Sequence, residues 1–211
     1  MKKKIQVLGD PFPHIIVKNF YTQEELELIW EELTFLNKPG KLQGPEGFHG
    51  GSNDFGQYKT NHKALTLDYC YPNKKISNIL TVTQKIFDLG FLNLLSSEFP
   101  QFKRILHTNY SFTKVRYYDH GTYYEPHEDI TFEFIAFSYF HKEPKMFSGG
   151  ELYFPEYGDY KFDCENNSVI VTPSYIKHGV SPVKIEQSDY RLDDGRYAIT
   201  HLFGHNHQEV K

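Results

Sequence analysis

The chain has 211 residues, 39% of them hydrophobic and 17% aromatic, and a formal net charge of −4. One sizeable core is within reach, while a strong electrostatic pull toward nucleic acid or anionic membrane is excluded. Two cysteines exclude a disulfide framework, and with no signal-peptide region or membrane-length apolar run the expectation is a soluble, cytoplasmic protein.

Lys2–Lys4 reads as a frayed basic terminus. A short strand is predicted at His14–Val17. Thr22 with Glu25 three residues later is a capping-box pattern, and Leu26, Ile29, Trp30 and Leu33 recur at helical spacing, so a helix with one buried face follows. Residues 39–62 are rich in glycine and carry no period, and a loop of that length inside a domain has a functional reading. Residues 64–69 predict a weak strand. Ile76, Ile79, Leu80, Ile86 and Phe87 share one helical side, and a further helical piece runs to Phe99. From about residue 105 the pattern turns to strands: "ILHTNYSFTKVRYY", "ITFEFIAFSYF", "ELYFP", "YKFDC", "NSVIVTP" and "RYAITHLFG". Helices followed by such a run predict one domain over residues 1–211. It is mainly β with supporting helices (α+β): helical support over about 20–100 and a sandwich or barrel-like core over about 105–204.

Within "YYEPHEDITF", His127 and Asp129 are two apart, and in an extended segment they point to the same face. "NSVIVTPSYIKHG" delivers His178 at a turn after a buried-type strand. Two imidazoles and one carboxylate from different segments can form a facial triad with three open metal positions, the non-haem Fe(II) pattern. A closed structural zinc site would want four ligands, usually with cysteine. Arg196 lies in an apolar strand with Ala198 and Thr200 on its face. A cation there needs an anionic partner, and a dicarboxylate chelating iron at its other end supplies one. Arg191, in the polar segment "SDYRLDD", reads as solvated. Tyr117 and Tyr139 are phenols on strand faces that a bound carboxylate could partner.

The segments "RYYDHGTYYEPHED", "SGGELYFPE", "TPSYIKHGVSPV" and "GRYAITHLFG", in that order, resemble the 2-oxoglutarate- and Fe(II)-dependent oxygenases, most closely the prolyl hydroxylase branch. The resemblance extends from about Asp10 to Phe203. It implies a double-stranded β-helix (jelly roll), Fe(II) held by His127, Asp129 and His178, and 2-oxoglutarate bound by Arg196 with Tyr139 and Tyr117 beside it. It also implies O2 as oxidant, ascorbate as reductant, and succinate and CO2 as coproducts of hydroxylation. Gly149 and Gly150 would form a turn that sends Leu152 and Phe154 into the core.

The expected acceptor is a peptidyl prolyl residue, with Phe48, His49, Phe55 and Tyr58 on a lid over it. Two positions depart from the animal oxygen-sensing prolyl hydroxylases: Leu202 replaces their tryptophan and Phe132 their arginine, so that target protein does not carry over. The alternatives are hydroxylation of a free amino acid or other small metabolite, a non-catalytic jelly-roll module, and a nucleic-acid dealkylase. The last would want a basic surface and a second pocket arginine, which the spacing of Arg191 and Arg196 does not supply. No nucleic acid or membrane partner is expected.

Overall fold

In this computed structural model, which describes residues 2–48, 56–158, 160–186 and 191–206, the strand-rich second half folds into two facing sheets. The strands are β1 (Lys4–Leu8), β2 (His14–Lys18), β3 (Lys63–Thr66), β4 (Tyr110–Tyr118), β5 (Tyr124–His127), β6 (Phe132–Phe140) and β7 (Phe147–Gly149). They continue as β8 (Leu152–Phe154), β9 (Tyr160–Phe162), β10 (Ser168–Pro173), β11 (His178–Val180), β12 (Val183–Ile185) and β13 (Arg196–Gly204). The larger sheet has the antiparallel order β1-β2-β10-β6-β13-β4-β3, and the smaller one the order β5-β11-β8-β9. A β12–β7 ribbon completes the set. These jumps in strand order between two sheets are those of a jelly roll.

Alternation along each strand of the larger sheet feeds two separate cores. Val115, Tyr117, Tyr197, Ile199 and Phe203 face the helices, where they join Ile29, Leu33, Ile79, Leu95 and Phe102. Tyr118, Ile135, Phe137, Tyr139, Ala198 and Leu202 face the smaller sheet and meet Leu152, Phe154 and Val180. The helix α1 (Gln23–Leu36) starts as expected: the Thr22 hydroxyl accepts from the Glu25 N–H, and the Glu25 carboxylate accepts from the Thr22 N–H at 2.7 Å. At Gly149, with φ +73°, an added Cβ would lie 2.1 Å from the Pro182 carbonyl oxygen, so the tight turn before β8 requires glycine. Leu152 and Phe154 are buried beyond it.

Four expectations are corrected. Lys4 opens an edge strand. Residues 64–69 are a strand only to Thr66, after which Leu67–Cys70 turns helical. Ile76 is 69% exposed because Ser77 caps the helix that starts at Asn78, leaving Ile76 before the helix and off its buried face. The strand predicted from residue 105 begins at Tyr110, since Pro100–His107 forms a 3-10 helix.

Candidate metal and cosubstrate site

β5 and β11 pair antiparallel with His127 directly opposite His178. The strand ends at His127, so Asp129 reaches the same place from the turn that follows, where its N–H donates to the Ser174 carbonyl at 3.0 Å. One ligand atom from each of His127, Asp129 and His178 lies within 4.8 Å of the others. The two imidazole centroids are 4.5 Å apart, and His178 Nε2 is 3.7 Å from Asp129 Oδ2.

Each imidazole has its Nδ1 on a backbone carbonyl, His127 on Glu125 at 2.9 Å and His178 on Ile176 at 2.8 Å. With Nδ1–H donating, both Nε2 atoms present lone pairs. Burial first, and the adjacent His178 second, push His127 down to about 3, and burial pushes His178 below the usual imidazole range. Both rings are therefore neutral, as metal ligands must be. Asp129 Oδ2 is buried without a hydrogen-bond partner. Two neutral imidazoles, one carboxylate with an orphaned oxygen and no thiolate fit a ferrous ion with open positions.

These histidines line a cavity with Arg116, Tyr118, Tyr124, Phe137, Tyr139, Leu152, Val180, Arg196 and Ala198. Arg196 is 1% exposed. Its guanidinium carbon sits 4.3 Å from the Tyr118 ring centroid and 5.1 Å from that of Tyr139. Nη1 donates to Cys164 Sγ at 3.3 Å, while Nε and Nη2, like the Tyr139 hydroxyl, are buried with no hydrogen-bond partner. Burial raises Tyr139 well above the phenol range, so it stays an O–H donor. Unpaired donors of this kind fit the distal carboxylate of a diacid.

Tyr117 is not in this cavity. It lies on the helix-facing side of β4, 4.7 Å ring to ring from Tyr197, and its hydroxyl accepts from the Gly195 N–H at 3.3 Å. Tyr117 and Val115 do share a face, but that face is the wrong one, and Tyr118 takes the cavity position opposite Arg196. Of the expected lid residues, Phe48 is 7% exposed and stacked at 4.9 Å on His62, while Tyr58 is 48% exposed. His49 and Phe55 lie outside the described residues. Arg191 is exposed and lines a different, surface cavity. Asp193, from the acidic segment before β13, is buried and accepts from Asn37 at 2.5 Å, Lys142 at 3.0 Å and the Tyr197 hydroxyl.

The sequence reading missed Arg116, Tyr118, Tyr124 and His62. Tyr124 stacks on His127 at 3.8 Å, and its place three residues before that histidine was the available signal. A second pocket arginine is therefore present, contributed by β4.

No protein-family model matches the sequence, and no curated protein matches it. Solved structures do resemble the fold. A prolyl hydroxylase from Trichoplax adhaerens, in complex with a hypoxia inducible factor oxygen degradation domain peptide fragment, aligns at TM-score 0.63 and 15% identity. It covers 90% of this chain and 83% of that one. A prolyl-4-hydroxylase from Pseudomonas putida aligns at 0.57 and 13%, covering 92% of both chains. The viral collagen prolyl hydroxylase of Paramecium Bursaria Chlorella virus-1, in its 2-oxoglutarate complex, aligns at 0.51 and 15%, covering 90% and 94%. This chain therefore has the jelly-roll fold of the 2-oxoglutarate- and Fe(II)-dependent oxygenases, in its prolyl hydroxylase-like form.

Proposed function

We propose that this chain is an Fe(II)- and 2-oxoglutarate-dependent oxygenase that hydroxylates an unactivated C–H bond, with a peptidyl prolyl residue as acceptor. The observation that carries the reading is that His127 and His178, clustered with Asp129, line the same cavity as a buried guanidinium with two unpaired nitrogens. His127, Asp129 and His178 would hold the ferrous ion, and Arg196 with the Tyr139 hydroxyl would take the distal carboxylate of 2-oxoglutarate. Bound iron supplies O2 activation coupled to decarboxylation of 2-oxoglutarate to succinate and CO2, with transfer of oxygen to the acceptor. The protein orients the reactants and keeps bulk water out: Leu152, Val180, Phe137 and Ala198 wall the space between the metal donors and Arg196. Ascorbate would restore iron oxidised in turnovers without acceptor.

The prolyl acceptor is supported by the likeness to prolyl hydroxylases and by half-buried Phe112 and Phe132, whose rings lie 5.2 Å apart beside Leu202. The test is succinate release with Fe(II), 2-oxoglutarate and a panel of proline-containing peptides, free proline and alkylated DNA. Acceptor-stimulated release with peptides alone is the expected result. Stimulation only by free proline would replace the peptide acceptor with a small metabolite. No release under any condition would remove the oxygenase reading.

A further inference from the structure

We infer that the acceptor carries a carboxylate, received in the cavity by Arg116 with Lys114 beside it. The inference rests on the oxygenase reading and narrows its substrate class.

The inner face of β4 presents Phe112, Lys114, Arg116 and Tyr118, paired in register with Leu202, Thr200, Ala198 and Arg196 of β13. Cations thus stand at two levels, Arg196 at one end and Arg116 two residues along. Arg116 is 7% exposed and held on both sides. Its Nε donates to Thr200 Oγ1 at 3.2 Å, and its Nη1 donates to His62 Nε2 at 3.3 Å.

His62 is fixed in turn. Burial, then Arg116, push it well below the usual imidazole range, so it is neutral and accepts at Nε2. Its Nδ1–H donates to the Thr60 hydroxyl oxygen, and that hydroxyl donates to the Tyr123 carbonyl at 2.6 Å. The His62 ring is stacked between Phe48 at 4.9 Å and Tyr118 at 4.5 Å. The Arg116 guanidinium also lies 5.6 Å from the Tyr124 ring, whose own contact is His127 at 3.8 Å. A rigid cation is therefore aimed at the metal end of the cavity.

Among the described residues it has no anion paired with it. Its partners Thr200 and His62 are neutral, and no acidic residue is among those lining the cavity. Among the described residues neither Arg116 nor Lys114 forms a salt bridge. The loaded site does not provide one either. A ferrous ion, the Asp129 carboxylate, the Arg196 guanidinium and a dianionic cosubstrate together carry no net charge, so the Arg116 charge remains over. An uncompensated buried cation is costly, and an acceptor carboxylate removes the cost. Lys114 agrees with this: its ammonium sits 5.6 Å from the Phe48 ring and 5.9 Å from the Phe112 ring, and the acid that acts on it is Asp129, already assigned to the metal. Burial and then Arg116 pull it down to about 7, with Asp129 opposing them in part. A phosphate would also be an anion, but with net charge −4 the chain has little to draw a polynucleotide in.

The carboxylate can belong to a free imino acid or to an acidic side chain next to a prolyl residue, and acid–amide pairs separate these sources. Calorimetric titration of the protein with Mn(II) and 2-oxoglutarate uses L-proline against L-prolinamide, and N-acetyl-Pro-Glu-amide against N-acetyl-Pro-Gln-amide. In one pair the acid binds about tenfold or more tighter than its amide, the worth of a buried charge-assisted pair. Arg116→Met erases that preference and Arg116→Lys restores part of it. The pairs are compared first on the unaltered protein, so the outcome does not depend on a variant folding.

Equal binding of acid and amide in both pairs overturns the inference, as does a preference that survives in Arg116→Met. Loss of 2-oxoglutarate affinity in Arg116→Met, or an alkylated oligonucleotide as the sole Arg116-dependent ligand, overturns it as well. Failure of the unaltered protein to bind 2-oxoglutarate defeats the oxygenase reading. Cosubstrate binding without acid preference defeats this inference alone.

Discussion

Replacing Arg196 by Met should have opposite effects with and without cosubstrate. In the ligand-free protein the guanidinium is 1% exposed, and two of its nitrogens have no hydrogen-bond partner. The Tyr118 and Tyr139 rings at 4.3 and 5.1 Å return about 1–2 kcal/mol of cation–π attraction, against a burial penalty of several kcal/mol for the ion. An apolar side chain of similar volume should therefore leave the ligand-free protein as stable, or more stable by about 1–3 kcal/mol. With Mn(II) and 2-oxoglutarate at about a hundred times its Kd, the unaltered protein gains about 2.7 kcal/mol by mass action, and Arg196→Met gains none. Urea unfolding midpoints, measured for both proteins with and without 2-oxoglutarate, read these shifts directly. A loss of about 3–5 kcal/mol without ligand, together with intact 2-oxoglutarate stabilisation, would mark Arg196 as part of a structural pair. That result would refute the argument.

His127→Ala or Asp129→Ala should abolish Fe(II) retention through gel filtration, and with it 2-oxoglutarate turnover, while the far-ultraviolet circular dichroism stays native. Near-unaltered turnover by either variant would assign the metal to other donors. Tyr117→Phe should cost about 1–3 kcal/mol, because the buried Gly195 N–H loses its acceptor, with 2-oxoglutarate affinity unchanged. Tyr118→Leu, which removes the ring under Arg196, should instead weaken 2-oxoglutarate binding in the same titration; equal effects would undo the assignment of β4 faces. His201 is fully buried, and burial pushes it down to about 3 from an unfolded value near 6.5. The unfolded chain therefore binds the extra proton, so stability is held above pH 6.5 and falls as pH drops below it. His201→Leu should flatten that acid limb by about 1.4 kcal/mol per pH unit between pH 6 and 5, as read from urea midpoints. An unchanged slope would mean that His201 is protonated in the folded protein.

The jelly roll was legible because its long strands are bounded by Gly, Pro, Asn and Asp and its first helix by the Thr22 capping box. The short strands β7, β11 and β12 were not, since each follows a turn-rich stretch and has only three residues. His127 and His178 were legible as donors because each sits near a proline or glycine at a strand end, where side chains reach an opening. The face of β4 was harder. Helices cover one side and the smaller sheet the other, so both faces of "KVRYY" are buried and alternation does not say which side holds the chemistry. Tyr117 was the phenol expected there, whereas Tyr118 and Arg116 line the cavity. His62 could not be found from sequence, because its place depends on the pairing of β3 with β4 across some fifty residues.

The two ends of the site belong to different layers. His127 and His178 are on the four-stranded sheet, whereas Arg196 and Tyr139 are on the seven-stranded one. The span available to a diacid is therefore the interlayer spacing, and Leu152, Val180, Phe137 and the small Ala198 act as its shims. Bulk added at Ala198 would force the layers apart and recalibrate this gauge toward a diacid of a different chain length, without altering any group that touches metal.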